Sequence, residues 1–289
     1  MKKLIISFMM LALLLLWAVA GFAFVRSEDK HPKKVREVKI TGFLDYAPFG
    51  YTERPNELLY GRFSTVFQPM LDTLKEENNL KIVYDLSKRD FPAQVQEVRQ
   101  GNIDLVLGAY HETELFRGLE LIYPAALINP ITIFMLPNRS SEVKSIDDLK
   151  KLKGVRTSKE TYSDFVENQL KNYNIEVVDN SYDLFERLFT QKADYIVISH
   201  YYGLIEASKL GLRKQISVAK QTWWQIPMFI GVSKLSRERK MLSQKLTRYL
   251  EKPENQETIK QNLIRLIDEA EINAQGIVPP TFGLEKRDN

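Results

Sequence analysis

The chain has 289 residues, 44% of them hydrophobic, which is enough for one large globular domain or two small ones. Its 41 Lys and Arg residues nearly balance 37 Asp and Glu residues, a ratio that gives no indication of nucleic-acid binding. The absence of Cys excludes disulfides, thiol catalysis, thiolate metal sites and a lipid-modified N-terminal cysteine.

The N-terminus predicts export. A short basic start precedes an apolar run from Leu4 to Val25, in which small residues at Ala18 and Ala20 fit a signal-peptidase site. Residues 1–23 are therefore interpreted as a signal peptide, cleaved after Ala20 or Ala23. An uncleaved membrane anchor is the alternative, because the apolar run is about as long as a bilayer is thick.

The next part of the chain predicts alternating strands and helices. Residues 35–43 alternate apolar and polar side chains as a strand does, and a turn-rich segment follows. A helix, a strand, a helix and a strand are then predicted over residues 62–79, 80–86, 90–101 and 102–110. This order favours an α/β fold with a mostly parallel sheet and helices on both of its faces.

A second alternating series follows residue 130. Strands are predicted over residues 131–137, 154–157, 175–178 and 193–199, and helices over residues 145–153, 161–173 and 181–191. Residues 236–271 are strongly helical, and residues 274–289 are predicted to form a loosely held tail.

Two lobes are the simplest assembly of these elements. Lobe 1 is predicted to contain residues 35–128 and 229–273, so that the C-terminal helices pack back on it, and lobe 2 to contain residues 132–224. The chain crosses between the lobes near residues 128–132 and 221–229.

Metal and cofactor motifs are not found. His31, His111 and His200 are widely separated, and the sequence has no Gly-rich phosphate loop and no Gly-x-Ser-x-Gly elbow. No cofactor is therefore predicted.

A polar cluster directly follows the strand predicted to end at residue 110. In a sheet of this kind ligands gather beyond the carboxyl ends of the strands, where the strand-to-helix loops converge. The loop GAYHETELFR, residues 108–117, lies at such an end and is the first candidate for a binding site.

Two motifs of the first lobe resemble those of the family 3 extracellular solute-binding proteins. The segment DYAPFGY is similar to that family's aromatic-x-Pro-Phe loop, with Tyr46 at the ring that stacks on the ligand. The segment DFPAQVQEVRQGNIDLVLGAY resembles the family's run from a cleft aromatic, here Phe91, to an Asp-led strand that ends in Gly108. The resemblance spans residues 35–271.

The family's carboxylate clamp is expected at Arg117, which stands six residues before Tyr123 as in the family pattern. The loop from Gly108 to Arg117 is about two residues longer than usual, and Thr113 lies four rather than three residues before Arg117. Without the resemblance, the better reading of Arg117 is a surface ion pair with a nearby glutamate, Glu112, Glu114 or Glu120.

Two interpretations of the aromatic candidates are open. Tyr46, Phe91 and Tyr110 can wall a ligand cleft with flat rings, or they can belong to the hydrophobic core.

In the second lobe, the start of the predicted helix after residue 157 offers backbone N–H groups and the hydroxyls of Thr157 and Thr161 to a polar ligand. The alternative is ordinary helix capping by Thr161 or Ser163. Arg156 stands where some family members place a ligand-contacting basic residue. Ser199 occupies the place of the family's ammonium-binding Asp, which makes a standard α-amino acid ligand less expected.

The resemblance implies a noncatalytic, monomeric periplasmic receptor with the two-lobed type 2 periplasmic binding protein fold. It would close around a small polar or anionic, amino-acid-like solute and present it to an ABC importer. A ligand-sensing subunit of a membrane receptor is the alternative. A periplasmic dehydratase is a third reading, in which His111, Glu112 or Glu114 would supply the proton.

Overall fold

The computed structural model describes residues 35–43, 46, 48–49, 65–85, 87, 90–110, 113–139, 143–160 and 162–282. The predicted leader, residues 1–23, lies outside the described residues. Of the predicted site, Thr161, His111 and Glu112 also lie outside them.

Strands and helices alternate along most of the described chain, as the sequence predicts. The strands are β1 (Arg36–Gly42), β2 (Leu80–Tyr84), β3 (Leu105–Tyr110), β4 (Leu119–Met135), β5 (Lys153–Thr157), β6 (Asn174–Val178), β7 (Tyr195–Ser199), β8 (Ser217–Val218) and β9 (Trp224–Ser233). The α-helices are α1 (Gln68–Asn78), α2 (Phe91–Arg99), α3 (Asp164–Leu170), α4 (Ser181–Phe189), α5 (His200–Lys209), α6 (Arg239–Leu250) and α7 (Pro253–Asn273). The predicted α/β class is confirmed.

The strands form one sheet in the order β2-β1-β3-β9-β4-β7-β5-β6, with β8 paired to β4. β1 and β3 are parallel, and so are β5 with β6 and β5 with β7. We call β2, β1 and β3 the first half of the sheet, and β7, β5 and β6 the second half. Between them β9 and β4 run antiparallel to their neighbours.

Two long strands connect the halves. β4 pairs with β9 from Leu119↔Ser233 to Ile131↔Trp224, with an irregularity between Ile122 and Leu127, and its last residues then pair with β7. The predicted crossing segments, residues 128–132 and 221–229, are thus largely paired with each other. The sequence pattern missed the length of β4, because Pro124 and Pro130 lie inside it and are typical strand breakers.

Local signals explain the helix that precedes the candidate loop. The Asp90 side chain accepts a hydrogen bond from the Ala93 N–H at 2.8 Å, and Pro92 stands in the first turn, so both fix the start of α2. Val95 and Val98 on its inner face are fully buried. This anchors the segment that leads into β3.

The helix α5 is absent from the sequence prediction. All seven residues from Tyr202 to Ser208 are buried, so the helix lacks the polar face that gives an amphipathic period. Gly203 permits this burial, because a Cβ at this position would lie 2.8 Å from the Phe134 ring. α5 therefore packs directly on β4 and β7.

The C-terminal helices contact the central strands and elements on either side of them. α6 packs against β4 and β9, whereas α7 packs against the 3-10 turn Thr65–Phe67 before α1 and also against α5. The segment after α7 continues over α4, where Phe282 is buried and stacks on Phe189 with ring centroids 5.4 Å apart. The prediction of a loosely held tail is wrong for this segment, because Phe282 fills a place in the core.

Replacing Phe282 with Ala is expected to lower the free energy of unfolding by about 3 kcal/mol, since a buried aromatic side chain is lost. Chemical denaturation followed by circular dichroism measures the change. Val278→Ala is the matched control in the same segment: its side chain is 85% exposed, and the expected change is below about 0.5 kcal/mol. Equal effects of the two substitutions would contradict the packing of this segment.

Candidate functional site

Tyr46 joins the two halves of the sheet. It follows β1 in the first half, yet its ring stacks on Tyr202 of α5 with centroids 4.8 Å apart and an interplanar angle of 21°. On the other side it packs against Phe43 and Phe49 of its own half. Its side chain is buried, so this aromatic contact closes the space between the halves.

The Tyr46 hydroxyl donates a hydrogen bond to a carboxylate of the second half. Its acceptor is Oε1 of Glu160, at 2.7 Å, in the loop between β5 and α3. The same Oε1 accepts from the Ser199 N–H at 2.9 Å, and Oε2 accepts from the Tyr162 hydroxyl at 2.8 Å. Glu160 is only 3% exposed and thus forms the centre of the interface between the halves.

Burial dominates the electrostatics of this cluster. It raises the pKa of the Glu160 carboxyl from 4.5 to about 7, against the opposing effect of the three hydrogen bonds and of the Arg156 guanidinium. Burial, followed by the Glu160 charge, also raises the pKa of Tyr46 and of Tyr162 well above the ordinary value. Glu160 is therefore a buried acid that changes charge close to neutral pH.

Arg156 is engaged by groups of its own half. Its guanidinium donates two bonds to the Glu167 carboxylate, at 2.7 and 3.0 Å, and one to the Glu160 backbone carbonyl at 2.6 Å. It also lies over the Tyr162 ring, with the guanidinium carbon 4.7 Å from the centroid. These contacts hold the loop that carries Glu160. They engage both terminal nitrogens of the guanidinium that was predicted to contact a ligand, while its buried Nε finds no partner among the described residues.

A second set of polar contacts ties β7 to the crossing strand. The Ser199 hydroxyl donates to the Asn129 Oδ1 at 2.6 Å, and the Asn129 amide donates to the Tyr110 hydroxyl at 3.0 Å. All three residues are buried. Ser199 thus meets the cluster through both its backbone N–H and its hydroxyl.

The aromatic residues of the first half form one wall behind Tyr46. Phe91 is stacked on Phe43 with centroids 4.0 Å apart, and Phe116 meets Phe91 and Tyr110 edge to face. Gly108 adopts φ +93°, and a Cβ there would lie 2.5 Å from the Phe43 ring, so this position requires glycine. The structure brings Tyr46, Phe91, Gly108 and Tyr110 into one region.

Arg117 does not join this region. Its side chain is 74% exposed and forms an ion pair with Glu114, three residues earlier. The prediction of a cleft-facing carboxylate clamp is therefore wrong for this structure, and the surface ion pair is correct. The reason is local: in the 3-10 turn Glu114–Phe116 the buried Phe116 points inward, which leaves the next residue outside.

The hydroxyls of the other predicted residues differ in their hydrogen bonds. Thr113 has a buried hydroxyl that finds no hydrogen-bond partner among the described residues. Thr157 is buried, and its hydroxyl accepts from the Lys159 N–H at 3.2 Å, which shapes the loop. Ser163 caps α3 by accepting from the Val166 N–H, so the capping interpretation is confirmed for this residue.

Glu160 is the central residue that the sequence analysis missed. The predicted site used the hydroxyls of Thr157 and Thr161 and the nearby N–H groups, but not the Glu160 carboxylate that lies between them in the sequence. An acid that follows a buried parallel strand, among hydroxyl-bearing residues, is the signal that could have identified it. Tyr202 was missed together with the helix that carries it.

A separate aromatic groove has a volume of about 590 Å³. It is lined by Tyr123 and Phe229, whose rings pack together, and by Phe165 and Trp223 of the second half. Trp224 at its edge is buried and donates its indole N–H to the Gln169 side chain at 2.6 Å, so its ring is part of the core.

Two further properties concern only the described part of the chain. There, no three His, Asp or Glu side chains come together in a way that could hold a metal ion. From residue 35 onward, none of the described helices combines the length and hydrophobicity that a membrane-spanning helix needs.

No protein-family model and no curated protein sequence matches the chain. Solved structures do match. The GluR0 ligand-binding core in complex with L-glutamate has a TM-score of 0.59 at 14% identity, covering 79% of this chain and 98% of that one. An amino acid ABC transporter substrate-binding protein from Streptococcus pneumoniae bound to L-arginine has a TM-score of 0.60 at 15% identity, covering 80% and 94%.

A third structure is that of an ancestral amino acid-binding protein described as a precursor of cyclohexadienyl dehydratase. Its TM-score is 0.59 at 15% identity, covering 80% of this chain and 95% of that one. At such identities the matches concern the fold. The chain has the two-lobed type 2 periplasmic binding protein fold, and the predicted fold class is confirmed.

Proposed function

We propose that this chain is a noncatalytic solute-binding protein of the family 3 type, which closes its two lobes around a small polar or anionic, amino-acid-like solute. The observation that carries this proposal is the contact of Tyr46 with Glu160 and Tyr202, because it links one lobe to the other at a buried polar centre. A ligand shifts an open-closed balance only if it is bound differently by the two states. A site built from both lobes meets that requirement.

The proposed ligand region is the aromatic wall of the first half and the cluster around Glu160. The predicted contacts that remain are Tyr46, Phe91, Gly108, Tyr110, Thr113, Thr157, Thr161 and Ser199. The buried Thr113 hydroxyl, which has no partner among the residues that the structure describes, supports a polar ligand on this side, since a buried hydroxyl without a partner is costly. Arg156 contributes by holding the Glu160 loop, because its guanidinium is already bound.

The solute class is supported by the neighbours in structure. Structures similar to this chain are described as bound to L-glutamate, L-arginine or glutamine. A carboxylate is common to all three. We therefore propose a carboxylate-bearing, amino-acid-like solute as the ligand. A standard α-amino acid is less expected, because Ser199 stands where the family has its ammonium-binding Asp.

Export to the periplasm and delivery to an ABC importer complete the proposal. The first residues carry the leader pattern, and two of the similar structures are described as substrate-binding proteins of amino acid ABC transporters. If the leader stays in the membrane, the same clamp would serve as the sensing subunit of a membrane receptor. Both roles use the same ligand-driven closure.

A dehydratase is a second candidate because Glu160 is a buried acid with a pKa of about 7, suited to proton transfer near neutral pH. The candidate Glu114 is 70% exposed and paired with Arg117, so it does not support this reading. Turnover of prephenate or arogenate that is abolished by Glu160→Gln would favour the enzyme. No turnover of prephenate or arogenate by the purified wild-type protein would favour the receptor.

The receptor proposal is tested by thermal unfolding in the presence of the twenty amino acids and small dicarboxylates. At 100 times the Kd, binding stabilises by about 2.7 kcal/mol, which is expected to raise the Tm by about 5 °C or more. Tyr46→Ala should lose this response, whereas Val177→Ala, at an exposed position of β6, should keep it. No shift with any of these compounds would overturn the proposal.

A further inference from the structure

The Glu160 carboxylate is held as a bound ligand would be held. Three donors converge on its two oxygens, and they come from three separate segments: the Tyr46 hydroxyl, the Ser199 N–H and the Tyr162 hydroxyl. One donor belongs to the first half of the sheet and two to the second. Closure of the halves is therefore what completes this set of donors.

The donors are neutral, and the nearby cation is engaged elsewhere. The Arg156 guanidinium binds the Glu167 carboxylate and the Glu160 backbone carbonyl, not the Glu160 side-chain oxygens. Apart from Glu160, the site thus consists of two phenol hydroxyls and one backbone N–H. All three donors face the buried position that the Glu160 carboxylate fills. We call Tyr46, Tyr162 and the Ser199 N–H the donor cradle.

A carboxylate from solution has the same hydrogen-bonding needs as the Glu160 side chain, since each oxygen accepts such bonds and none is donated. Two ionised carboxylates in the cradle are disfavoured, because like charges in a buried site repel each other. An incoming carboxylate would have to take the place of Glu160 rather than add to it. Glu160 lies in a loop between β5 and α3, so its side chain can leave without breaking a helix or strand.

We propose that Glu160 is an internal occupant of the ligand's carboxylate subsite, which holds the empty protein closed until a carboxylate-bearing solute replaces it in the donor cradle. This inference rests on the proposed solute-binding function and specifies its ligand chemistry. An internal occupant weakens the apparent affinity by the fraction of molecules in which the cradle is free. Burial, which raises the pKa of Glu160, is consistent with an occupant that is held at a cost.

The test removes the occupant and supplies it from solution. Glu160→Ala leaves the donor cradle empty, and sodium formate and sodium acetate are titrated while the Tm is measured. The Tm of this variant is expected to rise by about 4 °C or more, with saturation, and wild type should show no such rise. Sodium chloride at equal ionic strength and the neutral acetamide are the control solutes, and neither should act.

Glu160→Gln is the matched control variant, because its amide oxygen keeps the cradle filled at the same side-chain volume. Formate should leave its Tm unchanged. Glu160→Ser covers the case in which the Ala variant does not fold, since its hydroxyl satisfies part of the cradle while leaving room for formate. Equal responses of wild type and of the folded small-residue variant to formate would overturn the proposal.

The outcome is separable from that of the receptor proposal. A formate response confined to the Ala or Ser variant supports the internal occupant, even if no natural solute shifts the wild-type Tm in the amino acid screen. A solute that binds wild type at least as tightly as it binds the Glu160→Ala variant would contradict the internal-occupant proposal. The solute-binding proposal would be unaffected by that result. If Glu160 is an internal occupant, any carboxylate solute found in the screen should bind the Glu160→Ala variant at least tenfold more tightly than it binds wild type.

Discussion

Glu160→Gln should change the pH dependence of stability by about 3 kcal/mol between pH 4.5 and pH 8. The quantity is the free energy of unfolding of the variant minus that of wild type, measured by urea denaturation at several pH values. It is expected to rise with pH and to level off above pH 7. The figure follows from the difference between the ordinary pKa of 4.5 and the folded-state value of about 7, at about 1.4 kcal/mol per unit.

The sign follows from the proton count. Because burial raises the folded-state pKa, the native protein keeps its proton on Glu160 between pH 4.5 and 7 while the unfolded chain loses it. The resulting stabilisation of wild type is complete below pH 4.5 and is lost as pH rises through 7. Gln carries no such proton, so the free energy of unfolding of the variant does not fall in this way. The variant therefore becomes more stable relative to wild type as pH rises from 4.5 to 7.

The groups that face Glu160 do not obscure this effect. They are Tyr46, Tyr110 of β3, Tyr162, Arg156 of β5 and the Ser199 N–H of β7. The pKa values of the three tyrosines and of Arg156 are all raised, so none of these side chains changes charge between pH 4.5 and 8. Burial lowers the pKa of His200, next to Ser199, and Glu160 is not among the causes of this shift, so the His200 contribution cancels from the difference.

Glu167→Gln is the control with the opposite sign. Burial raises the pKa of Glu167 but the Arg156 bonds outweigh it, so the pKa is lowered, and its stabilising effect is lost only as pH falls below 4.5. The difference between Glu167→Gln and wild type should therefore stay constant from pH 5 to pH 8. A Glu160→Gln difference that also stays constant over this range would show that Glu160 is not buried as an acid.

The sequence predicted the fold better than it predicted the site. Strand alternation and caps such as Asp90 depend on neighbouring residues, and those elements appear where the pattern places them. α5 and the full length of β4 could not be read in the same way. A fully buried helix has no polar face, and a strand containing Pro124 and Pro130 depends on pairing with a distant β9.

The site depends on contacts between distant segments, which a motif reports only indirectly. Tyr46 and Glu160 are 114 residues apart, so their hydrogen bond has no local pattern. Arg117 is the opposite case, in which a local pattern is present but the side chain does not reach the site. Its spacing matches a family motif, but the geometry of a short turn with Phe116 inward directs it to solvent. Spacing predicted segments that the structure brings together around Tyr46, whereas the direction of each side chain depended on packing.

Tyr46→Ala is expected to lower the free energy of unfolding by about 4 kcal/mol, the second large effect in this protein. The substitution removes a buried ring that contacts Tyr202, Phe43 and Phe49, and it leaves the Glu160 carboxyl without one of its donors. Tyr46→Phe separates the two contributions. It keeps the ring and loses only the hydrogen bond, with an expected cost of about 2 kcal/mol because the acceptor stays buried.

The same substitution tests whether the cleft is held shut from within. Tyr46 is the residue of the first half that bonds to Glu160, so Tyr46→Ala should shift the empty protein toward an open form with a larger radius of gyration in small-angle X-ray scattering. Tyr182→Ala, at a half-exposed position of α4, should leave the radius unchanged. A Tyr46→Ala protein as compact as wild type, with less than about 1 kcal/mol lost, would place the closing force elsewhere. The contacts of α7 with both α5 and the turn before α1 would then be the next candidate for the closing contact, in addition to the paired strands β4 and β9, and opening would have to move that helix.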